Sequence, residues 1–259
     1  MKRPIENKEY RHSLGVSQST IKGFAECPAY VQYLQEQEKT MPTDPMIIGL
    51  MVESMLLGTL FKHEVSPYSD FRSGDAKEWK RRMESAGIPI IKESMMERII
   101  PMVEAGKQAF GDIKDCDVSV GIWREHAETG VLRRVLLDLV PRNRPIISDL
   151  KCLADPSPNG FARTVTNLRY DIQEAYYTRL FQEETGEPTR RRMEWWVIGN
   201  EEPHLTARYY IPQSYIESAD RQIDFWLKLY AHCEETGVWN GYTPKPVEVD
   251  LPKFFVPFQ

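Results

Sequence analysis

Residues 146–161 read IISDLKCLADPSPNGF, and the front half of that stretch decides the fold. With the proline before it, PIISDLKCL (145–153) reads as a β-strand, rich in apolar and β-branched residues. Side chains alternate along a strand, so Ile147, Asp149 and Lys151 share one face and Ser148, Leu150 and Cys152 the other. An acid and a lysine on one face are either a surface ion pair, worth about 0–1 kcal/mol, or the working end of a metal-dependent site.

The preceding stretch VLRRVLLDLVP, residues 131–141, reads as another strand, with Asp138 on the face of Arg134 and Leu136. Two neighbouring antiparallel strands bring Asp138 beside Asp149. At about 4 Å and an effective dielectric near 20, two carboxylates repel by about 4 kcal/mol. Lys151 relieves part of that, and a divalent cation relieves more. Carboxylates and a backbone carbonyl are hard oxygen ligands, which select magnesium, or manganese, over zinc and copper. A metal there would polarise a phosphate oxygen and acidify a bound water. Lys151 would orient or deprotonate that water, or stabilise charge building on phosphorus. The five histidines show no metal-ligand spacing.

Outward from the strand pair, VSVGIWRE (118–125) and the turn at Glu128-Thr129-Gly130 complete a meander. Upstream, Ser17 or Ser19 caps a helix reaching about Gln35, with Ile21, Phe24 and Ala25 at helical spacing. A second helix is expected from Pro45 to Leu60, and a third is capped by Asp75 and ends at Gly87. A fourth starts near Lys92, bent or broken at Pro101. Downstream, a helix from Leu168 to Glu184 precedes strands in EWWVIG and LTARYYIP, then a helix from Ser214 to Glu235. Tyr170, Gln173 and Tyr177 fall on one face of the 168–184 helix, opposite Leu168, Ile172, Ala175 and Tyr176. That polar, aromatic face suits contact with a substrate backbone. The pattern is one α/β domain over 1–259 with a mixed central sheet flanked by helices: a helical part (1–112), sheet and helices (113–236) and an extended tail (237–259).

Composition narrows the function classes. The chain has 259 residues, 41% of them hydrophobic, enough for one substantial core. No run of about 18 apolar residues spans a membrane, and MKRPIENKEYRHS lacks the apolar region of a secretory signal. Four cysteines without a C-x-x-C pair argue against zinc knuckles and a disulfide framework, and suit the cytoplasm. Neither G-x-x-x-x-G-K-[ST] nor G-x-G-x-x-G is present, so nucleotide hydrolysis is not the expected drive. The net charge of −5 does not advertise a nucleic-acid binder, although arginines gather at 133–134, 142–144, 163–169 and 190–192.

Asp138, the Asp149-x-Lys151 element and the Gln173-x-x-x-Tyr177 helix, in this order, resemble the PD-(D/E)xK nuclease superfamily and its restriction-endonuclease-like core. VSQSTIKGFAECPAYVQYL, GLMVESMLLG and LRYDIQEAYY extend the likeness over most of the chain, toward the phage-type exonuclease VIII (RecE-like) and λ-type alkaline exonuclease group. The resemblance implies a magnesium-dependent 5′-to-3′ exonuclease acting on double-stranded DNA ends. Asp138, Asp149 and the Leu150 carbonyl would be metal ligands, Lys151 the catalytic lysine, and Gln173, Tyr177 and Tyr170 neighbours of the scissile strand. Where that group carries G-x-x-x-H, this chain has Gly49-Leu-Met-Val-Glu53, which puts Glu53 in the ligand position. Arg163 and Arg169 are expected along the DNA path. The helix start at Ser17 and Ser19 suits a 5′-terminal phosphate. A ring-shaped homo-oligomer would supply processivity, and a single-strand-annealing recombinase would receive the product. The alternatives are an endonuclease of the same superfamily and a catalytically impaired DNA-binding partner in recombination.

Overall fold

The structure, a computed structural model, describes residues 2–37, 41–111 and 113–249. A short edge strand β1 (Lys2–Pro4) and helix α1 (Asn7–His12) lead into α2 (Gln18–Lys22), a 3-10 turn over Gly23–Ala25, and α3 (Pro28–Glu36). The single helix expected from Ser17 to Gln35 is broken before Pro28. Proline disfavours helical backbone in the residue before it, so Cys27 is extended and Pro28 opens a new helix at its first turn. Ser17 caps α2, its Oγ accepting from the Thr20 N–H at 3.3 Å.

Helix α4 (Asp44–Leu57) ends on Gly58 in the left-handed conformation that closes a helix without Cβ strain. Strands β2 (Glu64–Val65) and β3 (Ile90–Ile91) pair in parallel around α5 (Gly74–Ser85). Ser73, not Asp75, caps α5: its Oγ accepts from the Ala76 N–H at 3.2 Å. Asp75 lies within the first turn, where its charge favours the helix dipole. Helix α6 (Glu93–Phe110) runs on through Pro101. Proline removes one ladder bond, and the buried Met95, Ile99, Met102 and Val103 hold the helix regardless.

The meander follows as β4 (Cys116–Glu125), β5 (Leu132–Pro141) and β6 (Ile146–Leu153). Next come α7 (Pro158–Leu168), α8 (Tyr170–Thr185), β7 (Arg192–Gly199), β8 (Thr206–Tyr209) and α9 (Gln213–Thr236). Helix α7 is an addition to the expected elements. Its Pro-Asn-Gly start has low helix propensity, but the Ser157 Oγ accepts the Gly160 N–H at 3.1 Å and Phe161 is buried. Arg169, at φ 52° and ψ 55°, makes the left-handed joint between α7 and α8.

Six strands form one mixed sheet in the order β1-β4-β5-β6-β7-β8, antiparallel throughout except for the parallel pair β6–β7. Residues of α2, α3, α7, α8 and α9 cover one face, packed on Val135, Leu137, Ile147, Met193 and Trp195. Helices α4 and α6 cover the other, packed on Leu139, Leu150, Trp196 and Ile198. Each such side chain contributes about 1.5–3 kcal/mol on full burial. At Gly106 a Cβ would meet Leu56 and Ile198 carbons at 2.8 and 2.9 Å, so glycine lets α6 close onto α4 and β7. The expected mixed sheet flanked by helices is therefore what forms. The tail is irregular from Gly237 to Val249 and exposed except at Trp239, whose ring packs on Phe24 and Tyr230; its remainder lies outside the described residues.

Candidate active site

Strands β5 and β6 pair with Leu139 opposite Ser148, which sets Asp138 opposite Asp149. The Asp138 Oδ2 accepts the Leu150 N–H at 3.1 Å. Across the other edge of β5, the ladder pairs Val118 with Leu139 and Val120 with Leu137; between them stands Ser119 at φ 49°. A left-handed non-glycine residue costs about 1–2 kcal/mol. Val118 packs on the α4–α6 side and Val120 on the α8 side, so the strand turns over at this residue. Backbone strain thus sits opposite Asp138, as it commonly does at functional sites.

Asp149 is 2% exposed, and both of its oxygens are engaged. Oδ1 accepts from Gln173 Nε2 at 2.6 Å, and Oδ2 pairs with the Lys151 ammonium. That ammonium lies 5.5 Å from the Tyr170 ring centroid and 5.6 Å from that of Trp195, within cation–π range. The two rings stack on each other at 4.6 Å. Burial pulls the lysine's pKa down, but Asp149, Asp138 and the Tyr170 oxygen together push it above the ordinary value.

Glu174 fixes this geometry from behind. Its carboxylate accepts the Met193 N–H and the Trp195 indole N–H, each at 3.1 Å, and so ties α8 to β7. Burial pushes its pKa up to about 7, against those two hydrogen bonds and two distant arginines.

The expectation that Tyr170, Gln173 and Tyr177 present a substrate-facing surface is corrected here. They are 6%, 5% and 9% exposed, because α8 is wedged between sheet and α9 and has almost no solvent face. Gln173 positions Asp149, and Tyr170 holds Lys151. Tyr177 alone of the three lines the main cleft, beside Asp138.

Glu53 approaches from α4 on the opposite side of the sheet. Burial pushes its pKa up to about 7; Lys151 pulls it down, Asp149 pushes it up and Arg11 pulls it down. Burial also raises Asp138 well above the carboxylate range, as do the charges of Asp149 and Glu53, while Lys151 and the Leu150 N–H oppose. Asp149, whose charge disfavours ionisation of both Asp138 and Glu53, forms with them and the Leu150 backbone a hard-oxygen donor set. That chemistry fits a small divalent cation. Among the described residues, no three His, Cys, Asp or Glu side chains already converge into a metal cage. Each Asp149 oxygen accepts one such contact, from Gln173 or Lys151, and keeps a second lone pair with which to meet a cation.

The main cleft, about 1160 Å³, is bordered by Arg11, Ser17, Ser19, Arg134, Asp138 and Tyr177 among others. Arg134 braces its rim, donating to the Tyr10 carbonyl at 2.7 Å and to Ser13. Ser17 and Ser19 hydrogen-bond each other at 2.8 Å, at the start of a helix only five residues long. Arg163 is exposed and paired with Asp155 at 2.6 Å. Arg169 is engaged by Asp171 and Gln222, both at 2.9 Å. Neither arginine borders the cleft. Sequence reasoning missed Glu174 and Lys22. Glu174 sits in a helix whose spacing marks it as solvent-facing, and Lys22 lies 127 residues before Asp149 with no spacing to signal it.

No helix among the described residues is long and apolar enough to cross a membrane. No curated protein matches the chain. Among solved structures, the crystal structure of a proposed exonuclease from Eubacterium rectale superposes with a TM-score of 0.63 at 16% identity, over 95% of this chain and 97% of that one. That likeness is one of fold. The protein SSO0001 aligns over 72% of this chain and 88% of its own at 15% identity, with a TM-score of 0.31. The family model for a PDDEXK-like domain of unknown function (DUF3799) matches residues 17–246, a span that holds Glu53, Asp138, Asp149 and Lys151, and the chain belongs to that family.

Proposed function

We propose that the protein is a magnesium-dependent 5′-to-3′ exodeoxyribonuclease, manganese substituting, that degrades one strand of linear double-stranded DNA in the cytoplasm. The observation that carries the reading is the meeting of Asp138 and Asp149 across the β5–β6 register, with Lys151 paired to the second acid and Glu53 near both. Membership of a PDDEXK-like family and a fold shared with a proposed exonuclease support a nuclease. The likeness of the sequence to the exonuclease VIII (RecE-like) group supports end-directed degradation.

Asp138, Asp149, Glu53 and the Leu150 carbonyl would hold the divalent ion, which supplies Lewis-acid polarisation and an acidified water when bound. Gln173 fixes the Asp149 carboxylate so that it meets the cation in one orientation. Lys151, seated between Asp149 and two aromatic faces, presents an ammonium to the phosphate oxygen on which charge builds. The cleft floor at Asp138 takes the scissile strand. A ring-shaped homo-oligomer around the DNA would give processivity without an ATPase, and a single-strand-annealing recombinase would take the 3′ overhang.

The test is end-labelled linear duplex, with and without a 5′-phosphate, beside covalently closed plasmid, all in magnesium. Release of nucleotides from 5′ ends with the plasmid intact is expected. Plasmid nicking would replace the reading with an endonuclease, and binding without any cleavage would replace it with a DNA-binding partner. Light scattering that shows only monomer at micromolar concentration would remove the ring.

A further inference from the structure

Beside the acid–lysine pair stands a cation that the proposed chemistry leaves unused. Lys22 closes α2, and its Nζ donates to the Leu168 carbonyl at 2.8 Å. Leu168 ends α7; two residues on, Tyr170 holds Lys151 against its ring. The Lys22 ammonium therefore lies where the charges of Lys151, Arg169, Asp149 and Asp171 all reach it.

The two acids in that set are already committed. Asp149 is bound to Lys151 and Gln173, and Asp171 to the Arg169 guanidinium at 3.0 and 2.9 Å. Neither acid is paired to Lys22, whose hydrogen-bonded partner is a neutral carbonyl. Burial and the Lys151 charge both pull its pKa down, to about 8, against Asp171 and Asp149. Capping one carbonyl does not call for a charge placed beside another charge, since an amide or a water does the same. A phosphodiester, with one negative charge shared by two acceptor oxygens, supplies an anionic partner for the Lys22 ammonium.

We infer that Lys22 is a phosphate-positioning residue: its ammonium takes a backbone phosphate of the bound strand alongside Lys151. The inference rests on the nuclease reading above and adds a residue that the acid–lysine motif does not contain.

The experiment measures binding of a fluorescently labelled linear duplex in calcium across a salt series, for wild type and for Lys22→Gln, Lys22→Met and Lys22→Arg. Each phosphate contact contributes about 0.7–0.9 to the slope of log K against log salt. Both neutral variants should lose about that much slope and bind about tenfold more weakly, as removal of a hydrogen bond to a charged group does. Lys22→Arg should retain the slope. The loss should be equal for two unrelated DNA sequences, because phosphate contacts carry no base information. Lys22→Gln can still donate to the Leu168 carbonyl, so a role confined to capping α7 leaves its slope unchanged; that outcome overturns the inference, whatever happens to the melting temperature. A wild-type protein that binds no DNA at any salt overturns the nuclease reading itself, a separate failure.

Discussion

Gln173→Leu tests the claim that a buried amide, rather than the strand alone, aims Asp149. The Gln173 Nε2 donates to Asp149 Oδ1 at 2.6 Å, with both residues no more than 5% exposed. Leucine keeps the volume and removes the donor, leaving one oxygen of a buried carboxylate without its partner. A hydrogen bond to a charged group contributes about 1.5–3 kcal/mol. For a chain of this length, about 2 kcal/mol lowers the melting temperature by roughly 4–8 °C. Gln173→Glu sharpens the test. At 2.6 Å and an effective dielectric near 20, two ionised carboxylates would repel by about 6 kcal/mol. The new acid escapes by holding a proton, which raises its folded-state pKa. Its stability is then present at low pH and lost as pH rises through that raised value, so the variant should melt progressively lower above pH 5 relative to wild type. Calorimetry from pH 5 to 8 measures both effects, and cleavage of end-labelled duplex should fall in each variant. A Gln173→Leu protein that melts and cleaves like wild type would refute the reasoning, because Asp149 would then be held by other means.

Three further outcomes follow from the same geometry. Lys151→Met should lower the rate of hydrolysis about 10²–10³-fold, the loss seen when one donor to a developing oxyanion is removed. Asp149→Asn and Asp138→Asn should abolish cleavage in magnesium; wild-type rates in any of the three would put the chemistry elsewhere. Without metal, stability should fall as pH rises from about 4.5 to about 7, since Glu53 has a raised folded-state pKa and Asp138 shifts the same way. Glu53→Gln should flatten that fall, by on the order of 3 kcal/mol for a full shift, and magnesium should offset it above pH 7; a melting temperature that climbs with pH would contradict both.

The strands were legible because their period is short and local. Residues 131–141 and 145–153 alternate or run apolar within a few positions of Asp138 and Asp149, and the observed bounds agree to within a residue. Helix ends were less so. Cys27-Pro28 breaks a pattern whose apolar spacing continues across it, and Pro101 fails to break α6 because the packing of its neighbours outweighs one lost bond. Helix α8 misled for another reason: amphipathic spacing presumes a solvent side, and this helix is covered on nearly all sides.

By itself the sequence determined that Asp149 and Lys151 share a face, that Asp138 lies one strand away, and that the chain builds a mixed sheet with helices on both sides. Those follow from alternation and hydrophobic spacing, which are properties of neighbours along the chain. Only the tertiary structure decided that Leu139 sits opposite Ser148, that Ser119 takes a left-handed turn opposite Asp138, and that Gln173, Glu53 and Lys22 approach Asp149 from three different helices. Register and helix docking are settled by how the whole apolar surface packs, and no local pattern carries that sum.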